Sequence, residues 1–419
     1  MDQEKKLVVL LGAIVGVVTL SVIAFVLSGD SGDVTVSGEP TVSSESEDEG
    51  ASKTQTQSTS EVESTEDTST TLAPNLLQPD VPAQQPAASD DPETGEAAPT
   101  SAADTDGRIP IIFDTDANNE IDDQIALAYL LLNGDTFEVI GVTTNDTGRG
   151  GPIARHTQEA QYVVDLVGLT DSIPVVEGVD AGGTFDNRRG QVAAGGYQGQ
   201  AAVDFIVEEA KKYSPDNKLV LAPVGKITNI ALALEKDPSI APNIKILAIA
   251  GNYTNSGAGC PLGQDCESNL FQGASGFNAI LDSPAEFEMF PALPASGQGS
   301  ASITVSAGEI ASNLGGQGPT VPAIPSPRGP SFTNIGDYIA LLFNGANGKP
   351  IYDTAPVAAL IDPSVGDRIE IPAPSYTRDG RRWIERPNND HSVAYWDFLD
   401  TGAINQDIFD SFKNPVVRP

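Results

Sequence analysis

Asp114-Thr115-Asp116-Ala117-Asn118-Asn119-Glu120-Ile121-Asp122-Asp123 is the stretch that decides the fold of this chain. Five carboxylates fall within ten residues, after the apolar run Ile109 to Phe113 and before the helical run Gln124 to Leu132. A strand that ends in clustered carboxylates and enters a helix places them at the carboxyl edge of a sheet, where open α/β folds bind ligands. Carboxylates this close repel one another strongly in a partly buried site. A hard divalent cation with oxygen ligands is the usual way to neutralise them. The plainer alternative is a solvated acidic turn at a helix N-terminus, where Asp and Glu are favoured.

Outward from this stretch, apolar runs and helical segments alternate. Phe137 to Thr144 reads as a second strand, Pro152 to Leu166 as a helix and Ile173 to Gly178 as a third strand. A Gly-rich loop with Arg188 and Arg189 follows. Next come a helix over Ala201 to Tyr213, a strand over Lys218 to Pro223, a helix over Ile227 to Lys236 and a strand over Ile244 to Ala250. Such alternation with short loops predicts an open, mostly parallel, Rossmann-like α/β sheet with helices on both faces. Beyond Asn278 the pattern weakens, and the Gly/Pro/Ser-rich span from Pro294 to Ser331 carries no clear period. Ile335 to Phe343 and Thr354 to Leu360 read as helices, and Tyr395 to Phe412 closes the domain.

The N-terminal part is different in kind. Leu7 to Leu27 is apolar and uncharged, preceded by Lys5 and Lys6 and followed by acidic sequence. At ~1.5 Å per residue it spans a ~30 Å hydrocarbon core, and the positive-inside rule leaves the N-terminus cytoplasmic. Residues 1–28 are expected to form a single-pass membrane anchor; a cleaved secretory signal is the rival reading, and both export the remainder. Residues 29–107 are rich in Ser, Thr, Glu, Asp, Pro, Ala and Gln, and poor in bulky apolar side chains. Such a linker cannot bury enough surface to order itself. Residues 108–419 are then one extracytoplasmic domain, long enough for a sizeable core.

With 23 Lys and Arg against 58 Asp and Glu, the chain has a formal net charge of −35. That excludes nucleic acid as a natural partner. The acidity is concentrated in the first quarter of the chain and says little about the site. Cys260 and Cys266 share one Gly/Pro loop with no His nearby, so they cannot form a four-ligand zinc site, and a disulfide in an oxidising compartment is favoured over free thiols.

Four later segments complete the pattern: Val142-Thr143-Thr144-Asn145; Leu221-Ala222-Pro223-Val224-Gly225-Lys226-Ile227-Thr228-Asn229-Ile230-Ala231-Leu232; Gly276-Phe277-Asn278; and Asp353-Thr354-Ala355-Pro356-Val357-Ala358. Together with the acidic stretch, and in this order, they resemble the inosine-uridine type nucleoside hydrolases. That family's signature, Asp-x-Asp-x-x-x-Asp-Asp, is matched at both ends by Asp114-x-Asp116 and Asp122-Asp123, with two extra residues between. The resemblance covers roughly residues 108 to 365.

The resemblance implies hydrolysis of the N-glycosidic bond of a ribonucleoside or related N-riboside, with Ca²⁺ as cofactor. It makes Asp116, Asp123, the Val224 carbonyl and Asp353 the metal ligands, and Asp116 also the base that takes a proton from water. It assigns Asp122 and Asn278 to ribose hydroxyls, with Asn145 a further candidate. The family's Glu-Phe-Asn reads Gly276-Phe277-Asn278 here, and Tyr352 stands where members that protonate the leaving base with histidine carry it. Of the two histidines, His156 reads as a helical packing or surface residue. His391 lies in a late segment with Trp383 and Trp396 that could provide an acid and a stacking face for a planar base. Three competing readings stay open: Asp353 as a helix cap, Asn278 as a turn residue and the late aromatics as packing. At the level of function, the alternatives are a catalytically silent calcium-dependent binding protein and a hydrolase of another glycoside. A homo-oligomer is compatible with every one of these.

Overall fold

A computed structural model describes residues 106–251, 268–292, 299–378 and 383–419. The expected anchor, the linker and the Cys260–Cys266 pair lie outside the described residues. Among those described, no helix is long and apolar enough to cross a membrane.

Eight strands form the main sheet: β1 (Ile109–Thr115), β2 (Phe137–Thr144), β3 (Val175–Val176), β4 (Leu219–Pro223), β5 (Ile244–Ile249), β6 (Glu286–Phe290), β7 (Gly366–Pro372) and β8 (Ser392–Leu399). Their order is β7-β8-β6-β5-β4-β1-β2-β3. All neighbours are parallel except β7 with β8. The chain leaves β1 in one direction through β2 and β3, then resumes on the other side of β1 with β4. The gap between the carboxyl ends of β1 and β4 is therefore the switch point where doubly wound sheets take their ligands.

Strand alternation divides the core. Ile111 and Phe113 of β1 face one apolar cluster and Ile112 the other, and all three are buried. The first cluster packs α1 (Asp122–Leu131), α2 (Ile153–Val167), α7 (Ile335–Leu342), α8 (Thr354–Ile361) and α9 (Thr401–Lys413). The second packs α3 (Gln200–Ala210), α4 (Thr228–Lys236) and α5 (Ser268–Leu281). α6 (Ala307–Leu314) joins the first face through Ile310 and Leu314. The expected layered α/β architecture is thus the observed one.

Three differences have physical causes. The third strand shortens to Val175–Val176, because Pro174 has no N–H to give and only its carbonyl meets Val142 N, at 2.9 Å. Within the Pro294 to Ser331 span, the described part holds α6, opened by a reciprocal capping box between Ser306 and Glu309. It also holds a small hairpin, Ile324–Pro325 paired with Ser331–Phe332. Finally, Asn278 lies inside α5 and is not a turn residue. The helix that carries it packs Phe277 edge-on against Phe287 and Tyr376.

Candidate active site at the β1–β4 switch point

Asp114, still in β1, is the hub beneath the site. It is buried, and its carboxylate accepts from Thr143 Oγ1 at 2.6 Å, Asn229 Nδ2 at 2.7 Å and Asn145 Nδ2 at 2.7 Å. Burial pushes it up to about 6 against the pull of these donors. The same amides bind the strand ends together. Asn145 Oδ1 accepts from Lys226 N at 2.8 Å, and Asn229 Oδ1 from Val179 N at 3.0 Å. Asn145 therefore braces β2 against the turn after β4 and does not line the pocket. Its expected contact with ribose is corrected on that ground.

Above this floor the chain turns sharply. Thr115 Oγ1 receives Ala117 N at 3.1 Å and donates to Asp123 Oδ1 at 2.5 Å, tying the strand end to the helix start. Asp116 Oδ2 accepts from Asn119 Nδ2 at 2.8 Å and from the Thr147 hydroxyl. His156 is fully buried, with Nδ1 2.9 Å from the Asp116 carbonyl and 2.7 Å from that of Ala117. It supports the loop from below as a packing residue. Gly225 must stay glycine here, since a Cβ would come within 2.6 Å of Asn145 Oδ1 and 2.8 Å of Asp116 Oδ1.

The loop opens into a solvent-reachable cleft of about 430 Å³ lined by Asp116, Asn119, Glu120, Asp122, Asp123, Val224, Ile249, Asn269, Ala292, Tyr352 and Asp353. One oxygen from each of the buried carboxylates Asp122, Asp123 and Asp353 lies within 4.8 Å of the other two. Asp353 comes from more than 200 residues downstream (353 − 123 = 230) at the start of α8. It makes no side-chain cap bond there, so capping does not account for it. Asp116 lines the same cleft, held by Asn119 and Thr147, and its charge raises the other three.

Electrostatics follow from burial. Asp122 is pushed up to about 7, first by desolvation and then by Asp116, although the backbone N–H groups of Tyr352 and Asp353 oppose the shift. Asp123 and Asp353 are raised well above the ordinary carboxylate range by desolvation and by their acidic neighbours. These carboxyls cannot all ionise together unless a positive charge joins them. Asn119 Oδ1, buried and without a hydrogen-bond partner among the described residues, adds a neutral oxygen to the same cleft. An all-oxygen donor set with buried carboxylates fits a hard cation such as calcium and offers nothing to a thiophilic one.

Other expected residues lie elsewhere. Asn278 clasps the backbone of Tyr376, donating to its carbonyl at 2.9 Å and accepting its N–H at 2.7 Å. It does not line the cleft, so its ribose role is corrected. Trp383 packs edge-on against Tyr376 and Tyr395 and lines a separate surface pocket with Arg386 and Pro387. Trp396 is buried, stacked on Phe290, with Nε1 2.8 Å from Glu288 Oε2. His391 lies outside the cleft, its backbone paired with Ala373 and Asn389. Trp383 and Trp396 make the aromatic contacts of packing, and neither His391 nor Trp383 is among the described residues that line the cleft. Tyr352 does line the cleft.

Three residues escaped the sequence reading. Asn269 lines the cleft and donates to the Val224 carbonyl at 2.7 Å. Glu267-Ser268-Asn269 preserves the Glu-x-Asn spacing that Gly276-Phe277-Asn278 lacks, which was the available signal. Lys226 is buried, with Nζ 3.0 Å from the Asp180 carbonyl and 2.9 Å from that of Gly183, fastening the Gly-rich loop to the site. Lys349 pairs with Glu120 at the rim.

Buried carboxylates converging at the switch point of an α/β sheet make a site suited to a hard cation. Residues 111–391 match the family model for inosine-uridine preferring nucleoside hydrolases, and this chain belongs to that family. An uncharacterized Schizosaccharomyces pombe protein is 30% identical over 199 residues, covering 43% of this chain and 60% of that protein. A probable uridine nucleosidase of Arabidopsis thaliana is 31% identical over 183 residues, covering 39% of this chain and 53% of that protein. The chain thus spans somewhat over half the length of these curated relatives. The solved structure of a plant nucleoside hydrolase superposes with a TM-score of 0.55 at 17% identity, covering 73% of this chain and 99% of that one, which supports the fold.

The raised carboxyls carry a consequence for stability. A carboxyl with a higher pKa in the folded than in the unfolded state favours folding at low pH, and that contribution is lost as pH rises through the folded value. In chelator, the melting temperature is expected to fall between about pH 5.5 and pH 8, through the windows of Asp114 (about 6) and Asp122 (about 7). Millimolar calcium should restore it, more at pH 8 than at pH 5.5. Thermal melts at both pH values check this; a calcium-independent profile would contradict the electrostatic account.

Proposed function

We propose that this protein hydrolyses the N-glycosidic bond of ribonucleosides or related N-ribosides, with Ca²⁺ bound among the clustered carboxylates. The observation that carries this reading is the convergence of buried Asp122, Asp123 and Asp353 at the switch point of a nucleoside hydrolase domain. Asp123, Asp353, Asp116 and the Val224 carbonyl would hold the cation, with Val224 fixed by its own N–H to the Asp114 carbonyl at 2.9 Å. The cation, when bound, supplies Lewis-acid activation of the attacking water. Asp116 accepts the proton of that water, aligned for it by Asn119 and Thr147. Asp122, oriented by the backbone N–H groups of Tyr352 and Asp353, receives a ribose hydroxyl. The carboxylates stabilise positive charge that develops at the anomeric carbon. Tyr352, just before α8, lines the cleft and would donate a proton to the departing base.

A second reading, a calcium-dependent nucleoside-binding protein without turnover, is favoured by one observation. No histidine lines the cleft among the described residues. A nucleoside panel separates the two. The enzyme is expected to release free ribose and base, with activity abolished by chelation and lowered at least about 10³-fold by Asp123→Ala. Tyr352→Phe is expected to lower kcat by about 10²-fold with little change in KM. Calorimetric binding with no released ribose over days would select the silent binder. Full activity in chelator would refute the metal role.

The proposal also places the domain outside the cytoplasm, tethered through the uncharged run Leu7 to Leu27. Protease added to intact cells is expected to digest the domain. Complete protection in sealed cells, with digestion after lysis, would contradict the placement.

A further inference from the structure

The carboxylate loop is two residues longer than the family signature, and the extra length is anchored from outside the cleft. Asn118 is the single non-glycine residue with positive φ among those described, at 86°. That conformation is uncommon for a side-chain-bearing residue, although Asn tolerates it better than most. It is held by two contacts. Its Nδ2 donates to the Gly150 carbonyl at 2.5 Å, and its Oδ1 accepts from Arg328 Nη2 at 2.8 Å.

Arg328 comes from the tip of the Ile324–Pro325/Ser331–Phe332 hairpin, in the Gly/Pro/Ser-rich span that carries no sequence period. Its own N–H is fixed by Ser326 Oγ at 3.2 Å. Arg328 Nε also reaches the Tyr338 hydroxyl at 3.3 Å and Glu159 Oε1 at 3.4 Å. Glu159, on α2, is fully buried. The same oxygen receives the Tyr338 hydroxyl and Gln124 Nε2, the latter at 3.0 Å. Gln124 is the residue after Asp123 on α1. One buried carboxylate therefore grips the acidic loop at two points: directly at Gln124, just past its end, and through the planar guanidinium at Asn118, in its middle. Glu159, Arg328 and Tyr338 all lie outside the cleft lining.

We propose that the Glu159–Arg328 pair is a positioning device for the cation site. It holds the extended loop so that Asp116 and Asn119, which the loop carries, stay aimed at the position shared by Asp122, Asp123 and Asp353. Arginine is required, because a guanidinium spans two acceptors in fixed geometry and a lysine ammonium does not. The chemistry is preorganisation: a loop that has to be ordered on binding weakens affinity by the entropy of ordering it.

The inference rests on the calcium reading above, and its test separates the two. Calcium dissociation constants would be measured by calorimetry on the full chain without substrate, alongside melting temperatures in chelator. Arg328→Lys and Arg328→Met are each expected to weaken calcium binding at least tenfold, with the chelated melting temperature of Arg328→Lys little changed. Asn118→Gly, which suits the positive φ and removes only the amide tether, is expected to weaken binding similarly. The double variant Arg328→Met/Asn118→Gly should be no worse than the poorer single one, because both act through one contact. Wild-type binding with variants within twofold, or losses that simply add, would overturn the positioning role. No calcium binding by the wild type would overturn the functional reading, and this inference with it.

Discussion

Like charges buried together are the constraint on which this structure turns. Asp116, Asp122, Asp123 and Asp353 occupy one cleft at the end of β1, each nearly removed from water. In a folded protein such a group is tolerated only if its members take up protons or share a cation. The surrounding architecture restricts the choice. Asp114 is satisfied by three side-chain donors and stays out of the cleft. Lys226, a buried ammonium beneath the site, spends its hydrogen bonds on the carbonyls of Asp180 and Gly183, and Lys349 at the rim pairs with Glu120. The opening belongs to an external positive charge with oxygen affinity.

The fold explains why these residues meet. Asp116 follows β1 directly, Asp122 and Asp123 begin α1, and Val224 follows β4, so parallel pairing of β1 with β4 sets them side by side. Asp353 arrives on α8, whose Ala355, Val357, Ala358 and Ala359 are buried in the same core as α1. Apolar packing on both faces of the sheet thus fixes polar geometry at its edge. The amides of Asn145 and Asn229 serve that geometry by cross-linking strand ends, and Asn269, at the start of α5, holds the Val224 carbonyl from within the cleft.

What was legible in the sequence follows the range of the interactions. The strand–loop–helix around Asp114 to Asp123 and the parallel α/β class could be read from local periodicity and a dense motif, whereas the arrival of Asp353 was implied only by the family resemblance. The antiparallel edge strand β7 was missed, since its mostly exposed residues show no apolar run. Asn278 was misassigned because a Phe-Asn dipeptide fits the motif wherever it falls, whereas Asn269 reaches the cleft only through the start of α5. His391 and the tryptophans were read as a possible wall of the site, yet Trp396, within β8, packs against Phe290 and Glu288 of the neighbouring strand β6. The Glu159–Arg328 contact joins residues 169 apart, and no local pattern encodes it.

The central claim is that one hard cation is shared by carboxylates from the two ends of the domain. Crystals grown in millimolar calcium with a ribose-bearing ligand test it most directly. The account predicts a single strong peak between Asp116, Asp123 and Asp353, at oxygen distances of about 2.3–2.6 Å, with a ribose hydroxyl against Asp122. Carboxylates left without density between them at that concentration, with the ligand bound elsewhere, would contradict it.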